Sequence, residues 1–151
     1  IIAYGTIDEA NASLGIVLSN KLDSDITEVL TQIQNDLFVA GADLSNSDLL
    51  QSENRVTSSM IIRIEKTIDS YENELPLLTN FILPGGDIAA SQLHFTRTIV
   101  RRSETCLALL KEQEEINENC IKYLNRLSDL FFVLGRVINK RKGKKDNIWK
   151  V

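Results

Sequence analysis

Four side chains, His94, Arg97, Arg101 and Glu104, have the types and the spacing to do chemistry together. They recur at intervals of three, four and three, which puts them on one face of a helix. An arginine cannot lose its charge in a protein, so Arg97 and Arg101 on or near a buried face require a carboxylate, a phosphate or open solvent. Asp8, Glu104 and Asp129 are the candidate partners, within one subunit or between subunits, and Asn125 with Asp129 repeats the polar pattern one helix later. A water-facing helix side with incidental i,i+4 pairs would explain the same pattern, but the density of Arg101, Arg102 and Glu104 beside a narrow apolar stripe weighs against it. His94 is the only histidine, and a lone histidine is more often packed or on the surface than catalytic. It cannot supply the Glu-x-x-His pairs that di-iron bundles need on two helices. Walker loop, nucleophile-elbow and dinucleotide fingerprints do not occur.

These residues depend on the stretch Phe81-Ile-Leu-Pro-Gly-Gly-Asp87 and the helix that follows it. Pro84 has no amide proton and disfavours helical angles at Leu83, so the run before it is extended. Gly85 and Gly86 permit backbone angles closed to other residues, and Asp87 sets a carboxylate at the positive end of the helix dipole as N-cap. The Gly-Gly pair reads as a capping turn first and as a ligand approach second. Phe81 has the same ambiguity, since a hydrophobic residue before a capped helix is usually core. From 88 to 111 nothing breaks the helix, which at 1.5 Å per residue is roughly 37 Å long. Ile88, Phe95, Ile99, Cys106 and Leu109 mark its apolar face.

Four more helices follow from periodicity and caps. Thr6-Ile-Asp-Glu9 reads as a capping box opening a helix over 7–19, with Asp8, Asn11 and Gly15 off its apolar stripe. Ser24 caps a second helix over 25–44, whose Asp36 and Asp43 are expected to face outward or sideways. The polar stretch 45–55 reads as a loop. Thr57 or Ser58 opens a third helix that runs to about 74, ahead of Pro76. Asn117 caps a fifth over 118–141, with Leu124, Leu127, Phe131 and Leu134 on its core side and Asn125, Asp129 and Arg136 on the other. Five amphipathic helices and no convincing strand make an all-α, five-helix bundle with antiparallel neighbours. The basic run Lys140-Arg-Lys-Gly-Lys-Lys145 reads as a solvated helix end first and as a phosphate attractor second. Trp149 is expected to dock on a helix or a neighbouring subunit.

The chain's 151 residues, 43% of them hydrophobic, suffice for one domain with a sizeable core. A net charge of -4 argues against a general nucleic-acid or membrane-surface binder. No apolar run approaches the ~18 residues of a membrane span, and no signal-peptide pattern occurs. Cys106 and Cys120 have neither disulfide-scaffold nor zinc-site spacing, which fits a reducing cytoplasm. The chain starts at Ile1 without a methionine and is organised by Tyr4, so upstream sequence is expected.

The segments Tyr4-Gly-Thr-Ile-Asp-Glu9, Phe81-Ile-Leu-Pro-Gly-Gly86, His94-Phe-Thr-Arg-Thr-Ile-Val-Arg-Arg-Ser-Glu104 and Tyr123-Leu-Asn-Arg-Leu-Ser-Asp-Leu-Phe-Phe-Val-Leu134 together resemble the PduO-type ATP:cob(I)alamin adenosyltransferases. The resemblance spans nearly the whole chain. It implies a five-helix bundle assembling as a homotrimer, with an active site at each subunit interface. There the 5′-deoxyadenosyl group of ATP passes to the cobalt of reduced cobalamin, releasing triphosphate. By resemblance, Asp8 and Arg97 form the intersubunit ion pair that shapes the corrinoid site, and Arg101 holds the ATP polyphosphate with Mg²⁺. Glu104, Asn125 and Asp129 line the nucleotide region. Phe81 closes the lower face of the corrin and keeps an axial ligand off cobalt. The family's Thr-Arg-x-Gly-Asp-x-Gly ATP loop would lie before Ile1.

Cob(I)alamin is itself a strong nucleophile, which suits a chain without a histidine–carboxylate constellation. The resemblance further implies a reductase that supplies electrons and an adenosylcobalamin-dependent enzyme that takes the product. Two other readings stay open: a non-catalytic corrinoid carrier, and a helical oligomerisation module that binds neither ATP nor cobalamin.

Overall fold

The computed structural model describes residues 2–45 and 55–151. All but the two ends of the loop expected over 45–55 lies outside the described residues. The elements are α1 (Ile2–Leu18), α2 (Ser24–Ser45), α3 (Ser58–Glu72), β1 (Ile82–Leu83), α4 (Ile88–Lys111), α5 (Glu118–Arg141) and β2 (Asn147–Ile148). The five-helix bundle expected from the sequence is the fold. Helix α4 packs between α1 and α5, α3 packs on α5, and α2 packs on α1.

Three caps form where local chemistry places them. Thr57 accepts from the backbone of Met60 to open α3. Asp87 accepts from the Ala89 amide at 3.1 Å to open α4, and Asn117 accepts from the Asn119 amide at 3.1 Å to open α5. Two other expected caps fall inside their helices: Ser24 is the first residue of α2, and Thr6 fails as well. Thr6 lies inside α1 and donates its hydroxyl to the Ala3 carbonyl at 2.8 Å, so the helix is already running at Ile2. Inside a helix a threonine hydroxyl satisfies itself on the preceding turn, which mimics a cap in sequence.

The buried side of α4 also differs from the expected stripe. Its core face is built from Ala89, Ala90, Leu93, Thr96, Val100, Ser103 and Leu107, with Ile99 beside them, while Ile88, Phe95 and Leu109 are exposed. Small residues let neighbouring helices come close. The hydroxyls of Ser13 on α1 and Thr96 on α4 meet at 2.5 Å inside the core.

Asp36 and Asp43, expected to face outward or sideways, are only 3% and 5% exposed. Asp36 accepts from the Tyr123 hydroxyl at 2.7 Å and from Arg63. Asp43 accepts from the Val56 amide at 3.0 Å, Asn117 at 2.6 Å and Arg55 at 3.2 Å. A buried carboxylate is tolerated when several donors surround it, and here they tie α2 to α3 and α5. Arg141 ends α5 on Asp23, Asp25 and Glu74 at 2.7–3.1 Å, so this part of the basic run is ion-paired.

No strand was expected, yet β1 and β2 pair antiparallel, Ile82 with Ile148 and Leu83 with Asn147. Within the chain Trp149 meets Phe81 beside this ribbon. Its amide donates to the Phe81 carbonyl at 2.8 Å, and its ring meets the Phe81 ring edge-on at 6.2 Å.

Candidate active site

Helix α4 starts where it does because the turn ahead of it is pinned from α5. Buried Asn139 accepts from the Asp87 amide at 2.8 Å and donates to the Gly85 carbonyl at 2.9 Å. Gly86, at φ +105°, lies so close to Asn139 that any Cβ would fall 2.3 Å from the Asn139 oxygen. The pair therefore reads as a capping turn, the first of the two expectations, and it fixes the azimuth of every polar side chain downstream.

Along the seam between α4 and α5 the structure brings five expected residues together. Asn125 donates to Glu104 at 3.0 Å, joining the two helices. Asp129 accepts from Arg126 at 2.7 Å on the same side. The Arg97 guanidinium lies 5.5 Å above the Phe132 ring. Its Nε is buried without a hydrogen-bond partner. Arg101 is exposed one turn on. Among the described residues, neither Arg97 nor Arg101 forms an ion pair. Burial first and the Arg101 cation second lower the Arg97 pKa, against the opposing pull of Asp129. Two guanidinium groups thus face one patch without a bound carboxylate.

His94 sits behind that patch and not in it. It is 6% exposed and packs edge-on against Phe132 at 6.1 Å. It lies so close to the α5 backbone that a Cβ at Gly135 would fall 2.7 Å from its ring. Burial, then the Arg97 cation, lowers its pKa from 6.5, with Asp146 opposing. A neutral, packed imidazole supports Phe132 and Arg97, so the packed reading of this histidine holds. Phe132 itself drew no attention in the sequence, where it looked like one more apolar residue of α5. Its half-buried position between an arginine and a histidine only emerges once α4 and α5 are set side by side.

Two expected residues stand apart. Asp8 is exposed on α1 and borders a shallow cleft with Asn11, Gln34, Asn35 and Phe38. The Oδ1 of Asn11 there is buried and unpaired. No ion pair joins Asp8 to Arg97 within the chain. Phe81 precedes the ribbon at the head of α4 and is 78% exposed, so it is not a core residue. Arg97 lies about 15 Å further along the α4 axis than the Asp87 cap. Among the described residues no group of three or more His, Cys, Asp and Glu could hold a metal ion, and no helix is long and apolar enough to cross a membrane.

The chain matches the cobalamin adenosyltransferase family model over residues 1–138. The corrinoid adenosyltransferase of Bacillus subtilis (strain 168) is 43% identical over 145 residues, covering 93% of this chain and 75% of its own length. That of Mycobacterium tuberculosis (strain ATCC 25618 / H37Rv) is 46% identical over 145 residues, covering 92% and 75%. Among solved structures, a phenylalanine-to-alanine variant of the PduO-type ATP:corrinoid adenosyltransferase of Lactobacillus reuteri, complexed with cobalamin and ATP, superposes with a TM-score of 0.91. It is 32% identical, covering 99% of this chain and 84% of that one. An arginine-to-lysine variant of the Lactobacillus reuteri enzyme, complexed with ATP, gives 0.91 at 33% identity, covering 99% and 86%. This chain belongs to the cobalamin adenosyltransferase family.

Proposed function

We propose that the protein transfers the 5′-deoxyadenosyl group of ATP to the cobalt of cob(I)alamin. The observation that carries this reading is the pair of arginines on the α4–α5 seam, one half-buried with an orphan Nε and neither ion-paired among the described residues. Such a patch has its anion still to come, and a polyphosphate supplies one. The cobalt electron pair attacks C5′ and forms the Co–C bond. The C5′–O bond breaks, and triphosphate leaves with its electron pair. Arg101 binds the polyphosphate and stabilises the charge developing on the leaving group. Glu104, Asn125 and Asp129 orient the nucleotide so that C5′ is aligned with cobalt, which lowers the barrier through positioning.

Phe81, exposed at the head of α4, covers the lower corrin face as an apolar wall. Without an axial ligand the cobalt orbital that accepts the electron falls in energy, and reduction to cob(I) becomes easier. Mg²⁺, arriving with ATP, adds charge stabilisation at the phosphates. In this reading the site is completed in a homotrimer, where Asp8 of one copy meets Arg97 of the next. That arrangement accounts for a carboxylate and a cation left apart in the single chain. The protein works in the cytoplasm, downstream of a reductase and upstream of an adenosylcobalamin-dependent enzyme.

The test is an anaerobic reaction of ATP with pre-reduced cob(I)alamin. Adenosylcobalamin and intact triphosphate in equal amounts are expected. A protein that binds the corrinoid but forms no Co–C bond is a carrier, and one that binds neither substrate is an oligomerisation module.

A further inference from the structure

Phe81 is 78% exposed and belongs to no core cluster, so something outside the core must hold its ring. The ribbon provides it. Because Ile82 pairs with Ile148, Phe81 stands directly across from Trp149, and side chains on adjacent strands at such positions meet on one face. The backbone bond from the Trp149 amide to the Phe81 carbonyl at 2.8 Å and the edge-on rings, inclined at 64°, close this pair.

Two-residue strands are too short to be stable alone, so the position of Trp149 must come from elsewhere. Past α5 the chain turns at Gly143, and the Lys144 amide donates to the Asn139 carbonyl at 2.8 Å. Asp146 then accepts from Arg136 at 2.9 Å, and Arg136, itself buried on α5, also donates to the Pro76 carbonyl at 3.1 Å. Asn139 meanwhile holds Gly85 and Asp87 on the other side of Phe81. Both chain segments that carry the two rings are thus fastened to the last turns of α5.

We infer that Trp149 is a positioning residue for Phe81: it holds the phenylalanine ring at the angle needed to cover the lower face of the corrin, and the Asp146–Arg136 ion pair sets Trp149. This rests on the proposed role of Phe81. It assigns to the segment after α5 a part in cobalt coordination, through an aromatic contact and not through any bond to the substrate.

The experiment compares Phe81→Ala, Trp149→Ala, Trp149→Phe and the double alanine variant of the full-length protein. The readouts are the four-coordinate cob(II)alamin fraction with ATP present, and thermal melting. Loss of one edge-to-face pair should lower the four-coordinate population about 2- to 10-fold in Trp149→Ala. Trp149→Phe should restore most of it, and the double variant should be no worse than Phe81→Ala. Trp149 is the only tryptophan, so its emission should also shift in Phe81→Ala without any ligand. If Phe81→Ala loses the signal while Trp149→Ala melts early and keeps it, Trp149 is merely structural and the inference is overturned, with the Phe81 role intact. If Phe81→Ala itself keeps the signal, the role of Phe81 fails and the inference falls with it. Additive losses in the double variant would show that Trp149 acts independently of Phe81, which also overturns it.

Discussion

Arg101 is exposed and pairs with no carboxylate among the described residues, so its removal should leave the bundle intact and be felt only when an anion binds. Arg101→Ala is expected to lose about 10- to 100-fold in ATP affinity or turnover, the worth of hydrogen bonds to a charged group. Arg101→Lys should rescue poorly because an ammonium cannot offer the two parallel donors of a guanidinium. Equal ATP titrations and turnover for wild type and the alanine variant would mean that this arginine is only solvated.

His94 makes a different kind of demand. Its pKa is lowered from 6.5 by burial and the Arg97 cation, against Asp146, so the unfolded chain binds the proton more tightly. Stability is therefore full above 6.5 and is lost as pH falls through 6.5 toward the lowered folded value. His94→Gln should flatten that slope in denaturant titrations between pH 7 and 5. Asp25, whose carboxyl Arg141 holds down at about 2, titrates well below this window: its contribution is present above 3.8 and is lost as pH falls toward 2. An unchanged slope in the glutamine variant would assign the pH dependence to other groups.

At the scale of elements, the turn into α4 determines where the polar face points. Asn139→Ala leaves the Asp87 amide and the Gly85 carbonyl without their partners, so a cost of about 1–3 kcal/mol in urea unfolding is expected. Asp87→Ala should cost about 1 kcal/mol through the lost cap. An Asn139→Ala variant as stable as wild type would show that the turn holds itself. The start of α4 was legible in Pro84, Gly85, Gly86 and Asp87 because capping is chemistry among near neighbours, and the same holds for Thr57 and Asn117. Partners distant in sequence were not legible. Asp36 is buried because Tyr123 and Arg63 reach it from other helices, and an outward aspartate has the same local pattern. The apolar face of α4 was misjudged because Ile88, Phe95 and Leu109 outweigh alanine, serine and threonine in hydropathy, while only small side chains fit against α1 and α5. A ribbon of two residues per strand leaves no periodicity to read. Phe132 and Asn139 were missed for the same reason: their importance lies in what α5 brings to α4.

At the scale of the molecule, the exposed Phe95 on α4 and Tyr4 and Phe38 beside Asp8 are large apolar side chains that a single chain leaves in water. On the seam Arg97 and Arg101 form no ion pair with Glu104 or Asp129, and among the described residues Asp8 has no cation paired to it. Both conditions are met together if copies associate so that Asp8 of one faces Arg97 of the next. A trimer is expected in light scattering, and a monomer at working concentration would rule the shared site out. Asp8→Asn should then weaken cobalamin handling more than ATP binding, because it leaves the Arg97 charge uncompensated at a cost of about 3–5 kcal/mol in a buried setting.

The most direct measurement uses mixed assemblies. Asp8→Asn and Arg101→Ala chains are combined by co-expression, and the rate of adenosylcobalamin formation from ATP and cob(I)alamin is compared with that of each variant alone. Random assortment makes about a quarter of the interfaces intact, pairing an unaltered Asp8 with an unaltered Arg101. Recovery of activity to about that share of wild type is expected. Mixtures no more active than the two separate variants would contradict an adenosyl-transfer site shared between copies.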